Sequence, residues 1–134
     1  MPNKSYSLQV GDSFMLRDSK IGVHLHVIVA ESTGGEFGQV MLVYITDSES
    51  FKDKTTIIQP GDHEFITQES WVKYQNVIVC QRASLEGRIG KHYGKVDTRL
   101  LIRIQNGILA SERTPKAVQR DYQDWRLDYL SKCI

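Results

Sequence analysis

Cysteine is nearly missing from this chain, with Cys80 and Cys133 the only two among 134 residues. They show no metal-type spacing, and two thiols do not make the disulfide framework of a small secreted domain. Cys80, within NVIVC, reads as a small buried hydrophobe. No apolar run approaches the ~20 residues needed to span a bilayer. The opening MPNKSYSLQ lacks the apolar stretch of a signal peptide. The expectation is a reduced, soluble, cytoplasmic protein with no membrane partner. Proline is scarce as well, at three residues, and neither a low-complexity segment nor an internal repeat is evident.

Net charge is small, at +1 from 17 Lys/Arg and 16 Asp/Glu. The balance hides an asymmetry. Residues 1–67 carry 5 basic and 9 acidic side chains, whereas residues 68–134 carry 12 and 7. A basic second half suits phosphate contacts, and solvated helix faces explain it equally well. Length, 40% hydrophobic and 25% charged residues fit one globular domain with a real core.

The chain runs strands first and helices last. Gly11-Asp12 opens a strand over 13–17, and DSKIG (18–22) forms a turn. His24 to Glu31 reads as a strand closed by the glycine-rich STGGEFG, and Gln39 to Asp47 as the strongest strand, rich in Val, Tyr and Ile. After the polar SESFKDK comes a short strand over 55–59, ended by Pro60-Gly61. A single helical turn is predicted near 69–74 and a strand over 76–81. Residues 84–95, with three glycines and mixed charges, read as a linker. Asp97 or Thr98 caps a helix running to about Ala110, with Leu100, Leu101, Ile104 and Ile108 as its buried stripe. Thr114-Pro115 starts a second helix, where Val118, Tyr122, Trp125 and Tyr129 repeat at helical spacing. This order predicts a mainly β, α+β fold: a small SH3-like barrel over 1–83, then a linker and helical pair over 84–134 packed on the same domain.

Three of the four histidines lie at strand edges and turns, where a side chain titrating near neutral pH suits acid–base work. Alternation places His24 and His26 on one face of their strand, opposite the core face of Leu25, Val27 and Val29. Thr46-Asp47-Ser48 sits at a strand end, placed to orient a phosphate or a proton, though these residues are also ordinary turn formers. His63 follows the Pro-Gly turn, beside Glu64 and Phe65. Ser70, Lys73 and Tyr74, with Trp71, place aromatics next to a lysine, a pattern that suits single-stranded nucleic acid; Trp71 and Phe65 also fit the core.

Several of these segments carry a resemblance. HLHVIV, the apolar strand ending in Thr46, DKTTIIQPGDHEFI and SWVKYQNV resemble a group of small bacterial and phage proteins with a GDHPFI-type motif. LLIRIQNGILASERTPKAVQR is similar to that group's tail. The β-region in turn resembles the MazF/PemK toxins. That likeness implies an SH3-like barrel, a homodimer, an antitoxin partner and metal-independent cleavage of RNA with no cofactor. Their active-site arginine at the start of the second strand falls on His24 here, and their Ser or Thr at the end of the third strand falls on Thr46. The spacing His24-x-His26, Glu31 and PGD also resembles cupin metal motifs, but the later ligand histidine is missing, and no metal is expected.

The resemblance implies catalytic parts for His24 and Thr46, with Asp47 beside them; three histidines near turns of one small barrel add His63, so that one histidine takes the 2′-hydroxyl proton and the other protonates the leaving oxygen. His26, Ser48, Ser70, Lys73, Tyr74 and Arg82 would then bind substrate. The alternative is a non-catalytic module that binds nucleic acid or protein, motivated by Arg99, Arg103, Arg113, Lys116 and Arg120.

Overall fold

A computed structural model describes residues 8–17, 23–32, 38–47 and 52–132. The turn at 18–22, most of the 32–38 connection, Ser48, Cys133 and the Tyr129 side chain lie outside that description. The elements are β1 (Asp12–Leu16), β2 (Leu25–Glu31), β3 (Gln39–Thr46), β4 (Ile57–Ile58), β5 (Ser70–Val72), a 3-10 turn (Tyr74–Asn76), β6 (Ile78–Gln81), α1 (Arg82–Glu86), β7 (Ile89–Lys95), α2 (Thr98–Ala110) and α3 (Lys116–Lys132). The seven strands pair antiparallel in the order β4-β5-β3-β2-β1-β7, with β6 also on β3. The architecture is α+β, as the strand-then-helix order predicts.

Both faces of β2 and β3 are buried, so these strands read as nearly continuous apolar runs. On one face Leu25, Val27, Val29, Met41, Val43 and Ile45 pack with Leu100, Ile104 and Ile108 of α2 and Tyr122 of α3. On the other, Phe14, Ile28, Val40 and Leu42 pack with Leu85 of α1 and Ile89 of β7. Cys80 is half-buried against this second cluster. The two faces are not simple alternates. Val29 is an extra residue between Ile28 and Ala30 in the β2–β3 ladder. The bulge turns Ala30 onto the same face as Val29, and the Gln105 side chain of α2 donates to the Val29 carbonyl at 3.0 Å. A helix side chain thereby satisfies a backbone group at the irregularity.

Two turns share one design. In Gln9-Val10-Gly11-Asp12 and Gln59-Pro60-Gly61-Asp62, the Asp amide donates to the Gln carbonyl at 3.0 Å. The Asp carboxylate in turn accepts from the Gln amide at 2.7 Å. Gly11 and Gly61 have φ of +98° and +99°, which a type II turn requires of its third residue and glycine supplies without strain.

The predicted linker over 84–95 is a correction. It holds the end of α1 and all of β7, whose ladder with β1 crosses the expected boundary at residue 83. An edge strand facing solvent needs no apolar run, so its glycines and lysines hid it. The predicted helical turn over 69–74 is the strand β5 followed by a 3-10 turn; three residues are too few to show a period. The helices follow their caps. Asp97 accepts from the Arg99 amide at 3.1 Å, and α3 begins directly after Pro115. Gln119 of α3 donates to the Ile108 and Leu109 carbonyls at the end of α2, groups that have no intrahelical partner. Asp53, 6% exposed, accepts from the Thr55 amide at 3.0 Å and from the Ser111 hydroxyl at 2.7 Å, tying the loop before β4 to the junction of α2 and α3. Burial opposes its charge, but these hydrogen bonds outweigh that and hold its carboxyl below the ordinary range.

Tyr74 and His26, expected at a substrate surface, are both core residues, each 0% exposed. The Tyr74 hydroxyl donates to the Ile104 carbonyl of α2 at 2.7 Å and meets the Thr56 hydroxyl at 2.8 Å. Burial pushes its phenol upward. Gly107 lies over this hydroxyl, and a Cβ there would overlap both Tyr74 and Thr56. His26 faces the second cluster, stacked on Phe14 with ring centroids 6.1 Å apart and tilted against Tyr44 at 5.7 Å. A carbonyl only accepts, so the 3.1 Å contact of Nδ1 with the His24 carbonyl puts the proton on Nδ1. Nε2 is then an acceptor, buried and without a hydrogen-bond partner among the described residues. Burial lowers the His26 pKa from 6.5 to about 4, the charges of His24 and Arg88 add to that, and the bond to the His24 carbonyl opposes it.

Gly107→Ala is expected to destabilise the protein by about 1–3 kcal/mol through overpacking, despite the ~1 kcal/mol that alanine gains over glycine inside a helix. Urea unfolding checks this, and adding Tyr74→Phe should recover part of the loss by removing the overlapped oxygen. A second expectation concerns acid. His26 has a lower pKa folded than unfolded, so its stabilisation is complete above pH 6.5 and is lost as pH falls toward 4. The shift corresponds to about 3 kcal/mol. Urea melts across that window should show the slope, and His26→Leu should flatten it.

Candidate active site

The cleft follows from the pairing of β3 with β5. Thr46 and Trp71 are register partners, which brings the end of β3 beside the segment leading into Ser70. Residues 23–24, at the entry to β2, close the third side. The resulting cleft has a volume of about 370 Å³. Its polar side is His24, Thr46, Asp47, Thr67, Gln68 and Ser70, and its apolar wall is Val23, Ile45, Phe65 and Ile66. Val23 is 75% exposed, a large apolar side chain open to solvent at the rim.

His24 is held by its neighbours on two sides. Its ring packs on Tyr44 at 4.8 Å between centroids, tilted by 35°. Its backbone carbonyl accepts from the buried His26. The Tyr44 hydroxyl accepts from the Asn76 amide at 2.9 Å, which fixes the surface on which the imidazole rests. Asp47 is exposed just past the strand end and accepts from the Gln68 side-chain amide. The Ser70 hydroxyl donates to the Gln68 carbonyl at 2.9 Å, so Gln68 is tied at both its backbone and its side chain. An imidazole, a carboxylate and three hydroxyls therefore line one cleft, and the first two are groups suited to proton transfer.

Of the residues singled out in the sequence, His24, Thr46, Asp47 and Ser70 meet in this cleft. His63 does not line it. The Phe65 amide donates to His63 Nδ1 at 3.0 Å, which leaves the proton on Nε2, 3.1 Å from the Ser13 hydroxyl. Ser13 donates onward to the Gly94 carbonyl at 2.8 Å. Both ring nitrogens are engaged in the neutral form, and the ring meets Tyr93 edge-on at 5.3 Å. Burial lowers the His63 pKa below the ordinary value, against the raising effect of Glu64. Asp62, its sequence neighbour, serves the preceding turn instead.

Arg82 opens α1 and pairs with Glu31. Lys73 is half-buried, and its amide donates to the Tyr44 carbonyl at 3.1 Å, next to the cleft residues without being among its lining. The cupin-like spacing disperses in space: His26 is sealed in the core and Glu31 is paired with Arg82. Among the described residues no three His, Cys, Asp or Glu side chains group as metal ligands. Gln68 and Val23 carried no signal in the sequence, because their place depends on strands paired across distant stretches of chain.

No protein-family model matches this sequence. No curated protein is significantly similar to it. A solved structure is similar: an endoribonuclease in complex with its cognate antitoxin from mycobacterial species, aligned over 82% of this chain and 98% of its own, with a TM-score of 0.53 and 17% identity. At that identity the likeness is one of fold.

Proposed function

We propose that this protein is a toxin-type endoribonuclease that cleaves single-stranded RNA by acid–base chemistry without a metal. The observation that carries the reading is the convergence of His24, Asp47 and Thr46 in one cleft. The fold likeness to an endoribonuclease supports it.

His63 has both nitrogens engaged away from the cleft. The second proton carrier is therefore Asp47. Its carboxylate removes the proton from a ribose 2′-hydroxyl, and the resulting oxygen attacks the adjacent phosphorus. The bond from phosphorus to the 5′ oxygen breaks, and the His24 imidazolium protonates that oxygen as it leaves. The products are a 2′,3′-cyclic phosphate and a 5′-hydroxyl. Gln68 orients Asp47, and Thr46 lines the cleft beside it. Where the MazF/PemK pattern has an arginine, the protonated ring of His24 supplies the positive charge beside the developing negative charge. Under this reading the protein works in the cytoplasm on RNA, as a homodimer restrained by a small acidic antitoxin.

Incubation with an RNA oligonucleotide and with its 2′-deoxy counterpart tests the mechanism. RNA should be cut to cyclic-phosphate ends and the deoxy strand left intact. His24→Ala should lower kcat by about 10²–10⁴, as loss of one acid–base group does. Cleavage of the deoxy strand would refute the mechanism. RNA bound but left uncut would favour the non-catalytic module, with Arg99, Arg113, Lys116 and Arg120 as its basic surface.

A further inference from the structure

The cleft does not end at Phe65. Phe65 lines it and also packs on Tyr93 of β7, with ring centroids 5.9 Å apart and planes at 58°. Tyr93 is half-buried, and the Lys91 ammonium sits over its ring, 4.7 Å from the centroid. Lys91 is exposed and forms no ion pair among the described residues. Met15, the β1 partner of Lys91 in the ladder, packs against the main core, as Phe65 and Tyr93 do. An aromatic path therefore leads from the candidate catalytic groups to the outer edge of the sheet, with an unpaired cation at its far end.

The surroundings hold Tyr93 in place. His63 buttresses Tyr93 edge-on, and its own position is set by Ser13 and the Phe65 amide. Gly94, next to Tyr93, has φ of +88°, and a Cβ there would meet nothing within 4 Å, so the backbone beside the ring is uncrowded. The Lys91 ammonium covers one face of Tyr93, and its long, exposed stem lets it swing to a phosphate as a base takes its place on the ring; stacking and phosphate attraction together bind a strand without reading sequence.

We infer that Tyr93 and Lys91 form a nucleotide subsite for single-stranded RNA, one step along the strand from the cleft, with Phe65 shared between the two. The inference rests on the RNA-cleaving reading for its ligand class. It assigns His63 a positioning part, holding Tyr93 through their edge contact, in place of the catalytic part that its sequence position suggested.

The test uses a fluorescent 2′-deoxy octanucleotide, which the proposed chemistry leaves uncut, and reads binding by anisotropy. Tyr93→Leu should weaken binding about 5- to 150-fold, the range for loss of one stacked base, while Tyr93→Phe should bind nearly as wild type. Lys91→Gln, at an exposed position, should lower the slope of log affinity against log salt by about 0.7. Unchanged affinity in Tyr93→Leu, or an unchanged salt slope in Lys91→Gln, overturns the subsite. Equal losses in Tyr93→Leu and Tyr93→Phe also overturn it, because stacking then plays no part. A wild-type protein that binds the deoxy strand with these dependences yet leaves RNA intact keeps the subsite and defeats the catalytic reading. RNA cleavage with wild-type binding in every variant does the reverse.

Discussion

The contact between the Tyr74 hydroxyl and α2 sets where the helical layer rests on the sheet. The hydroxyl is bonded to the Ile104 carbonyl and beside Thr56, under a helix position that has no Cβ. It therefore ties the 3-10 turn, the segment before β4 and α2 together at one point. From there Ile104 and Ile108 reach the face of β2 and β3, and Gln105 reaches the Val29 carbonyl at the bulge. A polar anchor inside an apolar interface costs stability unless every group is satisfied. Here the phenol has both a donor and an acceptor role filled. The result is a helix with little freedom to slide, which fixes the register of the core against which Phe65 and Ile66 pack.

β2 and the residue just before it set two histidines to opposite tasks. His26 stacks inside the sheet's second core, and His24, two residues earlier, emerges at the cleft. Tyr44, across the ladder, touches both rings. The hydrogen bond from His26 to the His24 carbonyl means that the buried ring steadies the backbone of the exposed one. The environment of each ring, and not its residue type, decides whether it meets solvent. A fully buried imidazole is kept neutral by the low polarity around it.

Much of the architecture was legible in local chemistry. The β-branched and aromatic run of residues 39–46, the Asp97 cap and the Thr114-Pro115 restart each reported an element directly. β7 was hidden because its sequence, IGKHYGK, satisfies an edge position and not a core one. The candidate site was legible only in part. Thr46 and Asp47 at a strand end announced themselves, but Gln68 and Ser70 join them through pairing between β3 and β5, which no short-range pattern encodes. His26 misled because alternation identifies two faces without saying that both are covered, and Tyr74 because an aromatic near a lysine fits a binding surface as well as a core. His63 looked chemically available in sequence, and its two hydrogen bonds to Ser13 and the Phe65 amide arise from chain that is distant or folded back.

The ends of the strand path carry a consequence for how this molecule meets others. β4 is only two residues long, and β7 displays Lys91 and Lys95 with Gly90 and Gly94 beside them. Short or charged rims discourage another chain from adding a strand. Strand addition is thus discouraged at these two rims, and β6, which pairs with β3 alone among the described strands and exposes Val79, is the edge left for a companion to extend.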